Sequence, residues 1–210
     1  MIHLDPFYLL VDDSSWIRRL APLGLKLVQL RIKKAADDHL RVQIAEAQQI
    51  CERYGVQLII NDYWELAIEL GCDFVHLGQE DLDTANVETI RKAGLRLGVS
   101  THDARELQRV VGLSPDYVAL GPIFPTRSKV VHFAAQGLDP IRSWKAQLNG
   151  IPLVAIGGLS LEHAAEVLEA GADSIAVISD VCQHPDPQSR CRQWLEATRP
   201  SNVAAAMETI

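Results

Sequence analysis

Apolar residues along this chain gather in eight short runs that are rich in β-branched residues. Each run has four to six residues, which is the usual length of a strand. The runs are apolar nearly throughout, a pattern typical of parallel strands that are covered by helices on one face and packed with side chains on the other. The predicted strands are FYLLV (7–11), LVQLR (27–31), QLIIN (57–61), FVHL (74–77), LRLGVS (95–100), YVALG (117–121), PLVAIG (152–157) and SIAVIS (174–179).

The segments between the runs carry apolar residues at helical spacing. The clearest predicted helices are 37–54, 63–70, 84–93, 104–111 and 161–170. Eight βα units without a linker predict a single α/β domain, a TIM-type (β/α)8 barrel over residues 1–200. Residues 201–210 have no strand partner in this arrangement, and we expect them to form a flexible tail.

An open, doubly wound sheet is the main alternative to the barrel. The chain of 210 residues is near the short end of the barrel's range of about 200 to 400. Two features nevertheless favour the barrel. No G-x-G-x-x-G follows the first run, and polar residues follow many of the runs instead of clustering at one switch point.

Composition and charge limit the classes of function that the chain could have. The chain is 48% hydrophobic and 22% charged, as in an ordinary globular protein, and its formal net charge of −7 argues against broad binding to nucleic acid or anionic membrane. No run approaches the roughly 18 apolar residues of a membrane helix, and the N-terminus lacks a signal-peptide pattern. The four cysteines form no C-x-x-C pair, so we expect reduced thiols and a cytoplasmic protein that acts on small molecules. Both a monomer and a homo-oligomer are compatible with the pattern.

Amide and cationic donors follow the second run. Gln29, Arg31 and Lys33 occupy alternate positions, so an extended backbone places them on one face. Arginine offers a planar fork of N–H donors and lysine a mobile point charge, a combination that suits a polyphosphate. A solvated strand end is the alternative interpretation. The spacing thus predicts a candidate anion site at this end of the sheet.

Carboxylates follow the next two runs. Asp62 comes after the third run and Asp81 after the fourth, at strand ends that neighbour each other in a parallel sheet. Magnesium commonly takes one or two protein carboxylates together with substrate phosphate oxygens and waters, so this pair predicts a magnesium site. The alternative is that each aspartate caps a helix or a turn.

The remaining strand ends also carry groups suited to a ligand. The fifth run ends at Ser100, whose hydroxyl could bind a ligand or belong to a helix cap. The long connection 121–137 after the sixth run is predicted to be a binding loop or a lid. The seventh run ends in Gly157-Gly158 and the eighth in Ile178-Ser179, where barrels often bind phosphate. A tight turn is the alternative for the two glycines.

Several longer motifs resemble one family across almost the whole chain. They are VQLRIK (28–33), INDYWELAIELG (60–71), VHLGQEDL (75–82), LGVSTHD (97–103), YVALGPIFPTRSK (117–129), QGL (136–138), VAIGGLS (154–160) and AGADSIAVIS (170–179). In this order they resemble the thiamine-phosphate synthase family. The resemblance implies a transferase on a β/α-barrel that joins a pyrimidine diphosphate to a thiazole phosphate and uses Mg²⁺.

The resemblance also implies roles for individual residues. The implied pyrimidine diphosphate contacts are Gln29, Arg31, Lys33, Asn61, Ser100 and Lys129, of which Arg31, Lys33, Ser100 and Lys129 are the catalytic candidates. The implied thiazole phosphate contacts are Thr126, Arg127, Ser128, Gly158, Ile178 and Ser179, and the implied metal ligands are Asp62 and Asp81. Ser128 stands where the family frequently has threonine, so a hydroxyl is kept. The resemblance assigns no role to His102, His132 or the segment 130–135.

The implied reaction is a displacement at the exocyclic CH2 of the pyrimidine, in which pyrophosphate leaves first and the thiazole nitrogen captures the pyrimidine cation. The alternative is a thiazole tautomerase of the same superfamily, which would need neither the pyrimidine diphosphate nor the metal. A ligand-binding regulator on the same scaffold and a phosphosugar isomerase are further alternatives. The isomerase would need an acid/base pair in place of two cation-binding carboxylates.

Overall fold

Eight parallel strands pair in sequence order, and the last returns to pair with the first, so the sheet is a closed barrel. The structure is a computed structural model that describes residues 3–126 and 134–199. The strands are β1 (Phe7–Val11), β2 (Leu27–Leu30), β3 (Gln57–Asn61), β4 (Phe74–Leu77), β5 (Arg96–Thr101), β6 (Tyr117–Leu120), β7 (Leu153–Ile156) and β8 (Ser174–Val177). In the closing pair, Phe7 lies opposite Ile175 and Leu9 opposite Val177. The barrel prediction is confirmed, and the open-sheet alternative is wrong because β1 pairs with β8 and the sheet has no edge strand.

Helices follow the strands around the outside of the barrel. They are α1 (Ser14–Leu20), α2 (Asp37–Tyr54), α3 (Trp64–Glu69), α4 (Gln79–Thr84), α5 (Val87–Lys92), α6 (Ala104–Val111), α7 (Asp139–Gln147), α8 (Ala164–Glu169), α9 (Ser179–Cys182) and α10 (Pro187–Thr198). The helices predicted at 37–54 and 104–111 have the observed bounds. The helix predicted at 161–170 begins as a 3-10 turn, Leu161–His163, before α8. The helix predicted at 84–93 is the shorter α5, because a separate helix, α4, occupies 79–84.

The strands are buried on both faces, and the two faces form two separate hydrophobic clusters. Outward side chains such as Leu9 and Val28 pack with helix residues such as Ile44 and Val110. Inward side chains fill the barrel itself, so the barrel is a packed core and not a pore. This inner cluster comprises Leu4, Tyr8, Leu10, Leu27, Ile59, Phe74, Tyr117, Ala119, Val154 and Ala176.

The longest helix, α2, illustrates how the outer layer forms. Its buried residues include Leu40, Ile44, Ala47 and Cys51, whose spacing of three or four places them on one face. The opposite face is polar and exposed. Gly55 ends the helix in the left-handed conformation at φ 61°, with its N–H directed at the carbonyl of Cys51. A helix with one apolar and one polar face packs its apolar face against the strands and leaves its polar face in solvent.

The C-terminal helix α10 covers the seam where β1 meets β8. Trp194 is fully buried and stacks on Phe7, with ring centroids 5.6 Å apart and planes inclined by 7°. Its indole N–H donates to Asp180 at 2.6 Å, and Arg199 pairs with Asp5 at 3.1 Å. These contacts fasten the end of the described chain to its beginning. The predicted tail 201–210 lies outside the described residues.

The four cysteines are free thiols. Burial raises the pKa of Cys51 and Cys182 to about 12 and the pKa of Cys72 and Cys191 to about 11. The thiolate is the reactive form, so these side chains act as small apolar groups in the packing. Within the described ranges no helix is both long and apolar enough to cross a bilayer.

We predict that Gly98→Ala destabilises the protein by about 1–3 kcal/mol, because an added methyl group would overpack the barrel interior. A Cβ at Gly98 would lie 2.2 Å from ring atoms of Tyr117. Gly112→Ala is the control, since a Cβ there would be 3.5 Å from the nearest carbonyl oxygen, an ordinary contact. The measurement is the free energy of unfolding in urea by circular dichroism. Equal stability of the two variants would contradict the proposed interior contact.

Candidate active site

The carboxyl ends of the strands form one rim, and the described site residues predicted from the sequence lie along it. They fall into two groups. The first group consists of residues in or just after β2 to β5, namely Gln29, Arg31, Lys33, Asn61, Asp62, Asp81 and Ser100. The second consists of residues after β6 to β8, namely Thr126, Gly158, Ile178 and Ser179. The closed barrel therefore brings into one mouth residues that are up to 150 positions apart in the chain.

A carboxylate pair and a lysine lie at one side of the mouth. The ammonium of Lys33 forms an ion pair with Asp62, whose side chain is only 15% exposed. Partial burial raises the pKa of Asp81 above its ordinary value, and the neighbouring Asp62 carboxylate raises it further. Lys33 opposes this rise. Two acidic groups thus share one ammonium, and their mutual repulsion favours the binding of an additional cation.

The capping alternative is wrong for Asp62 and partly right for Asp81. Helix α3 begins after Tyr63, and no side chain caps it; Asp62 instead takes a left-handed backbone conformation at φ 66° and points its carboxylate at Lys33. Asp81 accepts a hydrogen bond from the backbone N–H of Gly78 at the start of α4, so this carboxylate also supports the helix. Neither role removes the pair from the mouth.

The carboxylate pair does not by itself make a complete metal site. Within residues 3–126 and 134–199, no group of three or more acidic, histidine or cysteine side chains is arranged to hold a metal ion. Magnesium typically keeps several waters and takes phosphate oxygens from a substrate. The two carboxylates therefore fit a metal that is completed by the substrate, as in many phosphate-transfer sites.

A chain of hydrogen bonds crosses the barrel interior just below the mouth. Gln29 Nε2 donates to the Tyr8 hydroxyl at 2.7 Å, which lies 3.0 Å from the Tyr117 hydroxyl. The Tyr117 hydroxyl lies 2.7 Å from His76 Nδ1, and His76 Nε2 lies 2.8 Å from Ser100 Oγ. We call these five residues the interior chain. It links two residues that the resemblance assigns to substrate binding.

Three members of the interior chain, Tyr8, His76 and Tyr117, were missed by the sequence analysis. Each lies within a run that is otherwise apolar, at a position that faces inward. A polar aromatic side chain at an inward strand position is the signal that could have found them. Buried hydroxyl and imidazole groups require partners, so three of them in one barrel indicate a network.

Two buried amide groups at the mouth lack partners among the described residues. They are Oε1 of Gln29 and Nδ2 of Asn61, and the two residues are only 2% and 4% exposed. A buried polar group without a partner costs about 1–3 kcal/mol. One of these groups accepts and the other donates, so a ligand that offers both a donor and an acceptor would satisfy them.

The other side of the mouth is a cavity of about 400 Å³. It is lined by Pro125, Thr126, Ile156, Gly157, Gly158, Leu159, Ala176, Val177, Ile178, Ser179, Asp180 and Gln183. Gly158 has φ 68°, and a Cβ there would lie 2.5 Å from the carbonyl oxygen of Phe124. The tight-turn interpretation of the glycine pair is therefore correct, and the same lack of side chains leaves their backbone accessible from the cavity.

Asp180 lies in the wall of this cavity, yet its negative charge is paired. Arg190 contacts its carboxylate through Nε at 2.9 Å and Nη2 at 3.0 Å, and Trp194 donates to it as well. Both members of the ion pair are largely buried, at 14% and 13% exposed. A bidentate guanidinium compensates the carboxylate, so the cavity does not repel an anion as a bare aspartate would.

The connection after β6 is held to the mouth at both ends. Its first part continues along β7, with Ile123 N–H bonded to Ile156 O and Phe124 N–H to Gly157 O, both at 3.0 Å. Its last part returns to the same place, with Gly137 N–H bonded to Ile123 O at 2.9 Å. The predicted site residues Arg127, Ser128 and Lys129, and also His132, lie outside the described residues.

His102 has a local role in the structure. Its backbone N–H and its Nδ1 both contact the carboxylate of Glu106, at 2.6 and 2.8 Å. Asp103 caps the same helix, α6, by accepting from the Glu106 N–H. The helix cap predicted in this segment is therefore Asp103, whereas the Ser100 hydroxyl is directed to His76.

Comparison with known proteins identifies the family of the chain. A family model described as thiamine monophosphate synthase matches residues 8–181. A curated thiamine-phosphate synthase of Rhizobium etli is 54% identical over 199 residues, which are 95% of this chain and 98% of that protein. Another from Serratia proteamaculans is 48% identical over 194 residues, 92% of each chain.

Solved structures show the same architecture. A thiamine phosphate pyrophosphorylase from Pyrococcus furiosus superposes with a TM-score of 0.81 at 27% identity, covering 92% of this chain and 95% of that one. A 3-hexulose-6-phosphate synthase superposes with a TM-score of 0.64 at 14% identity, covering 92% of this chain and 100% of that one, which supports the fold alone. The family model, the curated relatives and the shared barrel together show that this chain belongs to the thiamine-phosphate synthase family.

Proposed function

We propose that this enzyme joins 4-amino-2-methyl-5-(diphosphooxymethyl)pyrimidine to 4-methyl-5-(2-phosphooxyethyl)thiazole, or its carboxylated form, giving thiamine phosphate and pyrophosphate. The bond between the exocyclic CH2 and the diphosphate oxygen breaks, and a bond from that CH2 to the thiazole nitrogen forms. The observation that carries the proposal is that one mouth contains two separate places for a phosphorylated substrate. One has Lys33 beside a pair of carboxylates that could hold a cation, and the other is a cavity lined in part by glycines.

The pyrimidine diphosphate fits the half that follows β2 to β5. An aminopyrimidine offers an amino donor beside a ring-nitrogen acceptor, which are complementary to Gln29 Oε1 and Asn61 Nδ2. Ser100 would contact the same substrate. Arg31 and Lys33 would bind the diphosphate, and no carboxylate among the described residues pairs with Arg31. Its guanidinium is therefore available for an anion.

Asp62 and Asp81 would hold Mg²⁺, with the remaining ligands supplied by the diphosphate and by water. When bound, the ion neutralises charge that develops on the departing pyrophosphate. The two carboxylates fit this role because a cation between them would relieve their mutual repulsion, which adds to the effect of burial in raising the pKa of Asp81. Lys33 carries a single charge and compensates only part of that repulsion.

The thiazole phosphate fits the cavity half. Thr126, Gly158, Ile178 and Ser179 contribute to its wall, and the compensated Asp180 does not oppose a phosphate. Barrels of this kind often bind phosphate near their last two strands. Arg127 and Ser128 are further contacts on the basis of the family resemblance. With both halves filled, the thiazole nitrogen would approach the CH2 group from the cavity side.

Catalysis would depend on charge stabilisation and positioning. Arg31, Lys33, Ser100 and Lys129 would stabilise the leaving diphosphate and orient the pyrimidine, and no protein nucleophile is required. Holding both substrates in one mouth removes much of the entropy cost of a bimolecular reaction. The connection 121–137 would act as a lid that keeps water from the pyrimidine cation. We also place the enzyme in the cytoplasm, in keeping with its free thiols.

The first test is pyrophosphate release by the purified protein. We expect release only when both substrates and Mg²⁺ are present, with thiamine phosphate formed in equal amount. Each substrate and the metal are omitted in turn as controls. Interconversion of thiazole tautomers without pyrophosphate release would instead assign the protein to the tautomerase branch, and absence of any turnover would favour a ligand-binding regulator.

Removing one charged group from the mouth should lower turnover strongly. We expect Asp81→Ala and Lys129→Ala each to reduce kcat by about 10²–10³, because a single preorganised electrostatic contact contributes about that much. Asp83→Ala is the matched control, since Asp83 lies on the same helix but pairs with Arg109 at the surface. Normal turnover of Asp81→Ala at limiting Mg²⁺ would show that Asp81 is not a metal ligand.

The same carboxylate should destabilise the metal-free protein at neutral pH. A carboxyl group whose pKa is raised on folding weakens the folded state above that pKa, and this effect disappears as the pH falls to the ordinary value of 3.8. Asp81→Asn, which keeps an acceptor for the Gly78 N–H, should therefore raise the urea midpoint at pH 7 in EDTA, and the gain should shrink towards pH 4.

The control for this measurement is Asp83→Asn, which removes an exposed ion pair and should give no gain. Added Mg²⁺ should raise the midpoint of the wild-type protein more than that of Asp81→Asn. A loss of stability at pH 7 in Asp81→Asn would refute the proposed repulsion between the two carboxylates.

A further inference from the structure

The middle of the interior chain lies inside the barrel, below the groups that would contact a substrate. Tyr8 and Tyr117 are 1% and 0% exposed, and their hydroxyls already bond to Gln29, to each other and to His76, so they have no group left over for a ligand in the mouth. The chain begins at Gln29 on β2 and ends at Ser100 on β5, and both of these residues lie at the mouth. The two tyrosines thus connect two substrate-binding residues without touching the substrate.

Packing alone does not explain the two hydroxyl groups. Phenylalanine would fill the same volume, and burying a hydroxyl in an apolar interior is unfavourable unless it is hydrogen-bonded. The barrel also makes room for the ring of Tyr117, since Gly98 leaves the space that a side chain would occupy. The hydroxyls therefore have a role that depends on their hydrogen bonds.

The hydrogen bonds of the interior chain have a single direction. The Gln29 amide nitrogen can only donate, so the Tyr8 oxygen accepts and its one proton goes on to the Tyr117 oxygen. The proton of Tyr117 then goes to His76 Nδ1, which leaves the neutral imidazole protonated at Nε2. Nε2 donates to Ser100 Oγ. The oxygen of Ser100 then accepts from His76, and its own proton points to a different acceptor.

Both tyrosines keep their protons over the working pH range. Burial raises the pKa of Tyr117 well above its ordinary value of 10.0, and burial likewise raises the pKa of Tyr8. Each hydroxyl therefore passes one proton along the chain and accepts one hydrogen bond. Full reversal of the chain would require the amide of Gln29 to turn over, so that Oε1 would accept from Tyr8 and both Nε2 protons, instead of one, would lack a partner among the described residues.

We propose that Tyr8 and Tyr117 are positioning residues that act through His76 to give Gln29 and Ser100 opposite hydrogen-bonding roles toward the pyrimidine substrate. Gln29 presents its carbonyl oxygen as an acceptor, because Nε2 is turned toward Tyr8. Ser100 presents its hydroxyl proton as a donor, because its oxygen accepts from His76. The substrate assignment rests on the proposed function, whereas the direction of the chain is a property of the protein alone and is measured separately.

The direction is tested by the tautomer of His76 in the ligand-free enzyme. We expect ¹⁵N spectra of histidine-labelled protein to show His76 unprotonated at Nδ1 and protonated at Nε2, with its signals assigned by their loss in His76→Gln. In Tyr117→Phe, Nδ1 loses its donor and the preference for this tautomer should weaken. A wild-type His76 protonated at Nδ1 would reverse the chain and overturn the proposal.

The functional consequence is tested by a double-mutant cycle in kcat/KM for the pyrimidine diphosphate. We expect Tyr117→Phe to lower it about tenfold or more, since a tenfold change corresponds to about the 1.4 kcal/mol of one hydrogen bond. KM for the thiazole phosphate should not change. Adding Tyr117→Phe to Ser100→Ala should cause little further loss, because the tyrosine acts only through the serine hydroxyl on that side.

Independent losses that multiply in the double variant would overturn the proposal, since a purely structural effect is not coupled to Ser100. Tyr54→Phe on the outer helix α2 is the matched control, and its kcat/KM should be that of the wild-type protein. Tyr54 is partly exposed, with Arg53 over its ring at 5.5 Å.

Tyr8→Phe provides a second variant should Tyr117→Phe fold poorly. The two tests can fail separately. If the enzyme did not use the pyrimidine diphosphate, the proposed function would be wrong, but the tautomer of His76 would still establish the direction of the hydrogen bonds.

Discussion

The pairing of β1 with β8 is the contact on which the rest of the structure depends. It joins residues that are about 168 positions apart, such as Phe7 and Ile175, and it turns a sheet with two edges into a barrel with none. Closure also brings the carboxyl ends of all strands to one rim. The helix α10 reinforces it, because Trp194 packs on Phe7 and binds Asp180, the residue that follows β8 by three positions.

Closure has a second consequence, which is that the interior has a fixed volume. Large side chains such as Tyr8, Phe74 and Tyr117 fit only because small residues face them, Gly98 in particular. The rings pack against one another at centroid distances of 5.6 and 6.0 Å. Within this interior the hydroxyls of Tyr8 and Tyr117 lie 3.0 Å apart. The packed interior of the barrel thus supports the side chains at the mouth from below.

The charges at the mouth are arranged unevenly around the rim. On one side, Asp62 and Asp81 lie close together beside Lys33, and burial together with the Asp62 charge raises the pKa of Asp81. On the other side, Asp180 is fully compensated by Arg190 and serves to hold α10. Aspartate therefore has an incompletely compensated charge on one side of the mouth and a fully paired, structural charge on the other. The difference lies in the partner that each carboxylate finds.

Local patterns in the chain determined much of the fold. The apolar runs predicted each strand to within two residues at either end, because a strand covered on both faces is apolar wherever it lies. The helix at 37–54 was equally clear, since its buried face repeats every three or four residues. The position of Asp62 and Asp81 at strand ends was also readable, because the ends of parallel strands meet at one edge.

Tertiary structure alone decided which of these side chains meet. Tyr8 and Tyr117 are 109 positions apart and His76 and Tyr117 are 41 apart, so no local spacing relates them. Sequence periodicity reports whether a residue is buried, because burial depends on the element that carries it. The partner of a buried residue depends on how the barrel closes, and that information is spread over the whole chain.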